Sequence, residues 1–108
     1  MKKIVHLSSV HKRYDIRIFL KECVTLADAG YDVYFVVADG LGDEVKSGVK
    51  ILDVGYAHSG RLSRMLKTTK RVYKKALELN ADLYQFHDPE LIPSGIKLKR
   101  KTNAIVIF

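Results

Sequence analysis

The amino-acid sequence predicts an α/β fold, with a parallel sheet of about five strands and helices on both of its faces. Short β-branched runs alternate with longer amphipathic segments along the 108 residues. Because parallel strands need crossover connections, which are usually helices, this alternation favours a parallel sheet. The length allows one domain of about 100–150 residues. A content of 47% hydrophobic and 29% charged residues is typical of a globular chain.

The first predicted strand covers residues 3–7, a β-branched run that ends at two serines. An amphipathic helix follows, with Asp15 as its expected N-cap and Gly30 just after its end. The apolar residues of this helix recur three or four positions apart, and they are Ile16, Phe19, Leu20, Cys23, Leu26 and Ala27. This face is expected to pack on the sheet.

The middle of the chain contains the second and third predicted strands. Residues 32–38 are a nearly continuous β-branched and aromatic run, which predicts a central strand covered on both faces. Residues 49–54 are more polar and predict a flanking strand. Gly40 and Gly42 lie between these strands in a segment of turn-forming residues, and we interpret them as plain turn glycines.

The last part of the chain predicts two more helices and two more strands. The first helix has an apolar face made of Leu62, Met65, Leu66, Thr69, Val72, Tyr73, Ala76 and Leu77. The fourth strand covers residues 82–87, and the next helix begins at Asp88-Pro89 and ends near Lys101. Residues 104–108 predict a fifth, fully apolar and buried strand. This succession of elements predicts a Rossmann-like sheet.

Two further features concern the whole protein. No predicted helix follows the fifth strand to cover it, so we expect the chain to be a fragment of a longer protein. The single cysteine, Cys23, allows no internal disulfide, which favours a reducing, cytoplasmic compartment. No apolar run approaches the roughly 20 residues that cross a bilayer, and no secretory leader is recognisable.

The net charge of +7 is confined to the second half of the chain. Residues 1–55 carry eight basic and eight acidic side chains, whereas residues 56–108 carry eleven and four. The cations of the long helix are Arg61, Arg64, Lys67, Lys70, Arg71, Lys74 and Lys75. They are expected either to contact an anionic membrane or to form an ordinary solvated face. Nucleic acid is not the expected partner, because no exposed platform of aromatic side chains accompanies the charge.

Ligands of an open parallel sheet bind at the carboxyl ends of the strands, so the loops there contain the candidate site. Residues 8–17, after the first strand, include no glycine, which argues against a dinucleotide-dependent dehydrogenase. His11 and Arg17 lie in this loop. After the fourth strand, the segment 87–90 offers an imidazole and two carboxylates.

The histidines and acids of these strand ends have more than one interpretation. His87 is interpreted as functional because it stands at the end of a strand. Asp88 either assists His87 or caps the following helix. His6, inside the first strand, is expected to be a hydrogen-bonded core histidine, and His58 a solvent-exposed loop residue.

Four stretches of the chain form a recognisable set. They are IVHLSSVH at 4–11, DIRIF at 15–19 with Lys21-Glu22, LADAGYDV at 26–33, and the run from 81 to 93. In this order they resemble the N-terminal half of a retaining, GT-B-fold glycosyltransferase of the large family four. Many bacterial polysaccharide and lipopolysaccharide transferases belong to that family. The chain departs from the glycine-rich loop that many of these enzymes carry after their first strand.

The resemblance implies transfer of a sugar from a nucleotide diphosphate to a hydroxyl of a glycan or lipid-linked acceptor. This chain would form the acceptor side of the cleft, and a C-terminal domain would bind the nucleotide sugar. The implied site residues are His87 and Asp88 as catalytic positions, and His11, Asp15, Arg17 and Glu90 as acceptor- or donor-binding positions. No metal ion or other cofactor is expected, and the fragment alone is expected to be inactive.

The alternative is a free-standing α/β binding module, flavodoxin-like or receiver-like, whose basic helix contacts an anionic membrane or nucleic acid. The strand ends lack the clustered acids that a receiver-like phosphoacceptor site needs. The two hypotheses differ in localisation as well. A glycosyltransferase with a lipid-linked acceptor is expected in the cytoplasm, peripheral at the inner face of the membrane.

Overall fold

The computed structural model of the chain describes residues 2–56 and 61–108 and contains one six-stranded sheet. Its strands are β1 (Lys3–Leu7), β2 (Asp32–Val37), β3 (Glu44–Lys46), β4 (Val49–Asp53), β5 (Leu83–Phe86) and β6 (Ile105–Ile107). They lie in the order β3-β4-β2-β1-β5-β6, and each pair is parallel except β3 with β4. The predicted parallel α/β sheet is therefore confirmed, with one short antiparallel strand added.

The added strand, β3, belongs to a tight hairpin that was not predicted from the sequence pattern. Ser47 and Gly48 connect β3 to β4 and have φ angles of 53° and 79°. Positive φ at both central residues is the geometry that matches the twist of a two-residue hairpin. Val45, the one apolar residue of β3, is exposed, so no buried pattern marks this strand in the sequence.

Without β3, the strand order is β4-β2-β1-β5-β6, which is that of a Rossmann-like sheet. The strands β2, β3 and β4 lie on one side of β1, and β5 and β6 lie on its other side. β1 and β5 pair in register from Ile4 with Leu83 to Leu7 with Phe86. The carboxyl ends of these two strands therefore mark the topological switch point, where a crevice opens above the sheet. The loops at 8–17 and 87–90 both begin there.

The first helix, α1, is π-helical over Ile16–Val24 and α-helical over Thr25–Asp28. Asp15 caps it as predicted, because its Oδ1 accepts a hydrogen bond of 2.9 Å from the backbone N–H of Ile18. Gly30 follows with a φ of 96°, the left-handed conformation expected after a helix end. The expected buried face was wrong at Ile16 and Leu20, which are exposed. The wider π turn brings Ile18 to the sheet instead.

Two more helices complete the fold. They are α2 (Arg61–Leu79) and α3 (Ile92–Lys101), and a 3₁₀ turn at Pro89–Leu91 leads into α3. The two faces of the sheet have separate cores. On one face α1 buries Ile18, Phe19, Cys23, Val33, Phe35, Val37, Val49 and Ile51. On the other face α2 and α3 bury Val5, Leu7, Val36, Val72, Ala76, Ala81, Tyr84, Phe86, Leu91 and Leu98. Helices thus lie on both faces, as predicted.

Only part of α2 packs against the sheet. Its buried stripe runs through Thr68, Val72 and Ala76, four residues apart. Tyr84 ties this part to β5, since its hydroxyl donates to the carbonyl of Ala76 at 2.6 Å. The expected apolar face was wrong at the first turns, where Leu62 is 66% exposed. Leu66 and Met65 are exposed as well, because the stripe that meets the sheet begins only at Thr68.

The strand β6 is not the fully buried strand that the sequence predicted. It lies at the edge of the sheet and pairs with β5, and Val106 packs into the core beside α3. Ile105 and Ile107 point to the opposite face, where α1 packs over β2, and both are exposed. Across the two described ranges, no helix combines the length and hydropathy that a bilayer crossing demands.

Candidate functional site

The switch point brings the loop after β1 into contact with the loop after β5. The buried carboxylate of Asp88 joins them: its Oδ2 accepts hydrogen bonds from the backbone N–H of Ser9 at 2.6 Å and from the Ser8 hydroxyl at 2.9 Å. Its Oδ1 lies 2.9 Å from Nδ1 of His11. Glu90 contributes as well, because its Oε1 accepts from the Ser9 hydroxyl at 2.9 Å.

Asp88 is not the side-chain cap that the sequence permitted. Its backbone has the extended angles of a residue preceding a helix, but its carboxylate makes no capping hydrogen bond. The carboxylate is instead bonded to the hydroxyl of Ser8 and the backbone N–H of Ser9 in the loop after β1. The imidazole it contacts is that of His11, so Asp88 positions His11 together with Ser8 and Ser9, which we call the serine loop.

His87 is hydrogen-bonded to His6, the histidine of β1. Nδ1 of His6 and Nε2 of His87 lie 2.8 Å apart, and the two rings stack with an interplanar angle of 13°. The pKa of both imidazoles is lowered to about 4, mainly by burial and in part by neighbouring groups, which are His87 for His6, and Arg17 and His11 for His87. Both rings are therefore neutral at pH 7, which lets one donate and the other accept. The predicted role of His6 as a hydrogen-bonded core histidine is confirmed.

Glu22, on α1, lies beside this histidine pair. One ligand atom from each of His6, Glu22 and His87 lies within 4.8 Å of the other two, and we call this group the histidine cluster. Glu22 Oε2 and His6 Nε2 are buried and have no hydrogen-bond partner in the described part of the chain. Sequence spacing gave no sign of a metal-ligand group, because these residues lie far apart along the chain.

The other predicted binding residues have different surroundings. Asp15 uses its carboxylate to cap α1, and the hydrogen bond from Ile18 lowers the pKa of that carboxyl. Arg17 is largely exposed, with its NH1 3.9 Å from Oε2 of Glu22. A small cavity of about 170 Å³ adjoins the site, lined by Phe86, His87, Asp88, Pro89, Ile92 and Phe108.

A second polar group, which sequence reasoning missed, lies at the carboxyl ends of β2 and β4. Arg13 is 4% exposed, and its Nε and NH2 each donate to Asp39 at 2.7 Å. NH2 also donates to the carbonyl of Gly42 at 2.6 Å, and Glu44 lies 3.5 Å from NH1. We call these four residues the arginine cluster. The fork holds the pKa of Asp39 below its usual range.

The backbone angles and the carboxylate of Asp53 explain the glycines beside the arginine cluster. Gly40 and Gly42 have φ angles of 74° and 89°, and their N–H groups donate to the carboxylate of Asp53. Their interpretation as turn residues is confirmed. A cleft of about 510 Å³ opens beside the cluster, lined by Lys12, Arg13, Tyr14, Asp15, Ile16, Asp39 and Leu41.

The cations predicted on the outer face of α2 are at the surface. The exposed ones are Arg61, Lys67, Lys70, Arg71 and Lys74. Lys75 is half-buried, and its ammonium lies 3.0 Å from Glu78. The side chain of Arg64 and the whole of His58 lie outside the described residues, so those two expectations stay predictions.

No protein-family model and no curated protein sequence matches this chain. Among solved structures, the C-terminal domain of a hydrogenase from Pyrococcus furiosus is similar, with a TM-score of 0.69. The alignment covers 98% of this chain and 89% of that domain at 12% identity. At so low an identity the similarity shows the fold alone, and that fold is the parallel α/β arrangement predicted from the sequence.

Proposed function

We propose that this chain is the acceptor-side, Rossmann-like domain of a retaining glycosyltransferase. One observation carries the proposal: two of the stretches that resemble that family meet at the switch point through a buried carboxylate. Ser8, Ser9 and His11 belong to the first stretch and Asp88 to the last, and they are joined by contacts of 2.6–3.0 Å. Residues this distant in sequence converge at the place where an open α/β sheet binds its ligand.

The small cavity beside His87 suits a sugar hydroxyl and the carbons around it. Phe86 and Phe108 stack at its wall with ring centroids 5.9 Å apart, while His87 and Asp88 supply polar atoms. Such a lining, apolar with a few placed polar groups, is typical of small-molecule sites. In the proposed reaction His87, neutral at pH 7, orients the reacting group, and Asp88 holds His11 and the serine loop around it.

Arg17 is the residue best placed to meet negative charge. Its guanidinium is exposed at the mouth of the site, and its contact with Glu22 is long, at 3.9 Å. A guanidinium binds phosphate or carboxylate oxygens through two parallel hydrogen bonds. It would therefore hold an anionic group of the donor or acceptor while sugar transfer retains the anomeric configuration. The nucleotide sugar is a co-substrate in this proposal, bound mainly by a second domain of the longer protein.

The test is sugar transfer by the protein that contains this chain, assayed with a set of nucleotide sugars and a hydroxyl acceptor. His87→Ala is expected to lower turnover by roughly tenfold or more, because a positioned imidazole at the reacting centre is lost. The matched control is Glu78→Gln on α2, an exposed position where activity should not change. Unchanged turnover in His87→Ala removes His87 from the site. No transfer with any donor favours the free-standing binding module instead.

The exposed cations of α2 support a second part of the proposal, that the protein is cytoplasmic and binds peripherally to an anionic membrane surface. Leu62 and Leu66 are exposed on the same helix, so apolar and cationic side chains are both available to lipid. Each cation near an anionic surface contributes about 1 kcal/mol of binding free energy. Such contact would bring a lipid-linked acceptor to the crevice.

Vesicle sedimentation tests this membrane contact. The protein is expected to pellet with anionic vesicles and not with neutral ones. Reversal of Lys67, Lys70 and Lys74 to Glu should weaken pelleting by at least about 100-fold, because three favourable charges are lost and three unfavourable ones are introduced. Reversal of the exposed cations Lys99, Arg100 and Lys101 on α3 is the control and should weaken it far less. Equal pelleting with both vesicle types would refute membrane binding through charge.

A further inference from the structure

The histidine cluster unites side chains from three separate elements. His6 comes from β1, Glu22 from α1 and His87 from the end of β5, and each offers a ligand atom within 4.8 Å of the others. We propose that His6, Glu22 and His87 form a binding site for a divalent transition-metal ion of the zinc type. This inference goes beyond the proposed sugar transfer, in which no metal ion takes part.

The spacing of the nitrogen atoms fits one shared ion. With metal–ligand bonds of about 2.0–2.1 Å, neighbouring ligand atoms of one ion stand about 2.9–3.4 Å apart, from right-angle to tetrahedral geometry. Nδ1 of His6 and Nε2 of His87 are 2.8 Å apart, so a slight opening of the pair would admit an ion. Glu22 reaches the pair from a helix through a flexible side chain, which can close the remaining distance.

An unsatisfied carboxylate oxygen of the cluster is an independent indication of a cation. Oε2 of Glu22 is buried and has no hydrogen-bond partner within the described ranges, and its contact with NH1 of Arg17 is long, at 3.9 Å. With an ion bound to Nδ1 of His6 and Nε2 of His87, the ring proton of His6 would be on Nε2, which also has no partner there. Oε2 of Glu22 is then a buried acceptor without a donor, an arrangement that costs free energy unless a cation is bound.

The donor set indicates which class of ion fits. Imidazole nitrogens suit zinc, copper, iron and nickel, whereas magnesium and calcium prefer all-oxygen ligands. Two histidines and one carboxylate also leave coordination positions open for water or substrate. His87 borders the small cavity and is half-buried, so such a position would lie next to the crevice.

A neighbouring pair must be distinguished from this site. His11 and Asp88 lie 2.9 Å apart at the same edge of the sheet and would also bind zinc weakly. Their atoms already have partners, since Ser8 and Ser9 donate to Asp88. We therefore expect no contribution from His11, and the variant His11→Gln separates the two possibilities.

The experiment measures metal binding by the protein after removal of metal with a chelator. Zn²⁺ is titrated by calorimetry, and Co²⁺ is titrated by visible absorption, which reports imidazole coordination. One ion per chain is expected. Glu22→Gln and His87→Gln should each weaken binding by at least about tenfold, because each removes a direct ligand. Glu78→Gln, the same change on the exposed face of α2, should bind like the unchanged protein.

Three results would overturn the proposal. They are the absence of Zn²⁺ and Co²⁺ binding, equal affinity in all variants, and loss of binding in His11→Gln rather than in Glu22→Gln. Circular dichroism of each variant checks that it is folded, and Glu22→Gln keeps the shape and half-buried position of the side chain. Because no sugar nucleotide is present, the outcome is independent of the proposed transferase activity.

Discussion

The arginine cluster and the histidine cluster lie at the same edge of one sheet, yet they differ in how their buried atoms are paired. The guanidinium of Arg13 has a carboxylate, a backbone carbonyl and a second acid around it. In the histidine cluster, one nitrogen of His6 and one oxygen of Glu22 have no hydrogen-bond partner among the described residues.

This difference separates stabilisation from ligand binding. A buried charge whose hydrogen bonds are all made rigidifies the loops that supply its partners. Buried acceptors without donors instead lower stability, and they are retained where a ligand completes them. The arginine cluster thus holds together the loops after β1 and β2 and the start of β3. The histidine cluster has buried polar atoms without partners, so it is the part of this edge that is available to bind a ligand.

The largest effect should come from breaking the arginine cluster. Arg13→Met keeps much of the side-chain volume but leaves the carboxylate of Asp39 without its cationic partner. Loss of one member of a buried ion pair costs about 3 kcal/mol of unfolding free energy. Urea denaturation measures it. Arg17→Met is the control, since its exposed ion pair contributes less than about 1 kcal/mol. Equal losses in both variants would remove the distinction between the clusters.

The next effect is a pH dependence of stability that the histidine cluster produces. Burial lowers the pKa of His6 and His87 from 6.5 to about 4, so the unfolded chain binds more protons between these values. Stability is therefore full above about pH 6.5 and falls as the pH decreases toward 4. From pH 7 to pH 5.5 the metal-free protein should lose on the order of 2 kcal/mol.

Urea midpoints at several pH values measure this loss. The double variant His6→Gln, His87→Gln has no imidazole to titrate in the cluster, so its stability should vary less over the same range. A midpoint that is flat from pH 7 to 4.5 in the unchanged protein would contradict the assignment of two buried neutral histidines.

The smallest effect concerns Ser9, which stands between the two loops of the switch point. Ser9→Ala removes the hydroxyl that donates to Glu90 at 2.9 Å and lies 3.3 Å from Asp88. The backbone N–H of Ser9 still donates to Asp88. A loss of about 1 kcal/mol is expected, the typical contribution of one such hydrogen bond. Proteolysis rates of the loop provide a second measurement, and unaltered stability and cleavage would show that the Ser9 hydroxyl does not help to join the loops.

The elements of the fold could be predicted because their signals are local. A β-branched run marks β2, and a capping acid with a later glycine marks both ends of α1. The exposed start of α2 could not be predicted, because periodicity shows that an apolar face exists and not how far the sheet extends beneath it. The sequence similarly gave no sign of β3, whose side chains are mostly polar and exposed.

The sequence was sufficient to predict which loops form the candidate site. The rule that ligands bind at strand ends selected His11, His87 and Asp88 from the chain order alone. The partners within the site were not predictable, since hydrogen bonds such as Ser9 to Asp88 span 79 residues. Glu22 was not predicted as a site residue for a related reason. On a helix with regular α spacing, its position is expected to face solvent. The π-helical stretch and the sheet register together bring it to the histidines.

The edge strand β6 has a consequence for handling the protein. Its outer backbone groups have no partner strand in the described sheet, and Ile105, Ile107 and Phe108 are exposed beside them. An apolar open edge is a template for strand addition between molecules, the first step of aggregation. Association between molecules is therefore expected to begin at this edge. A lysine at position 107 is the kind of gatekeeper that natural sheets place at such an edge to prevent it.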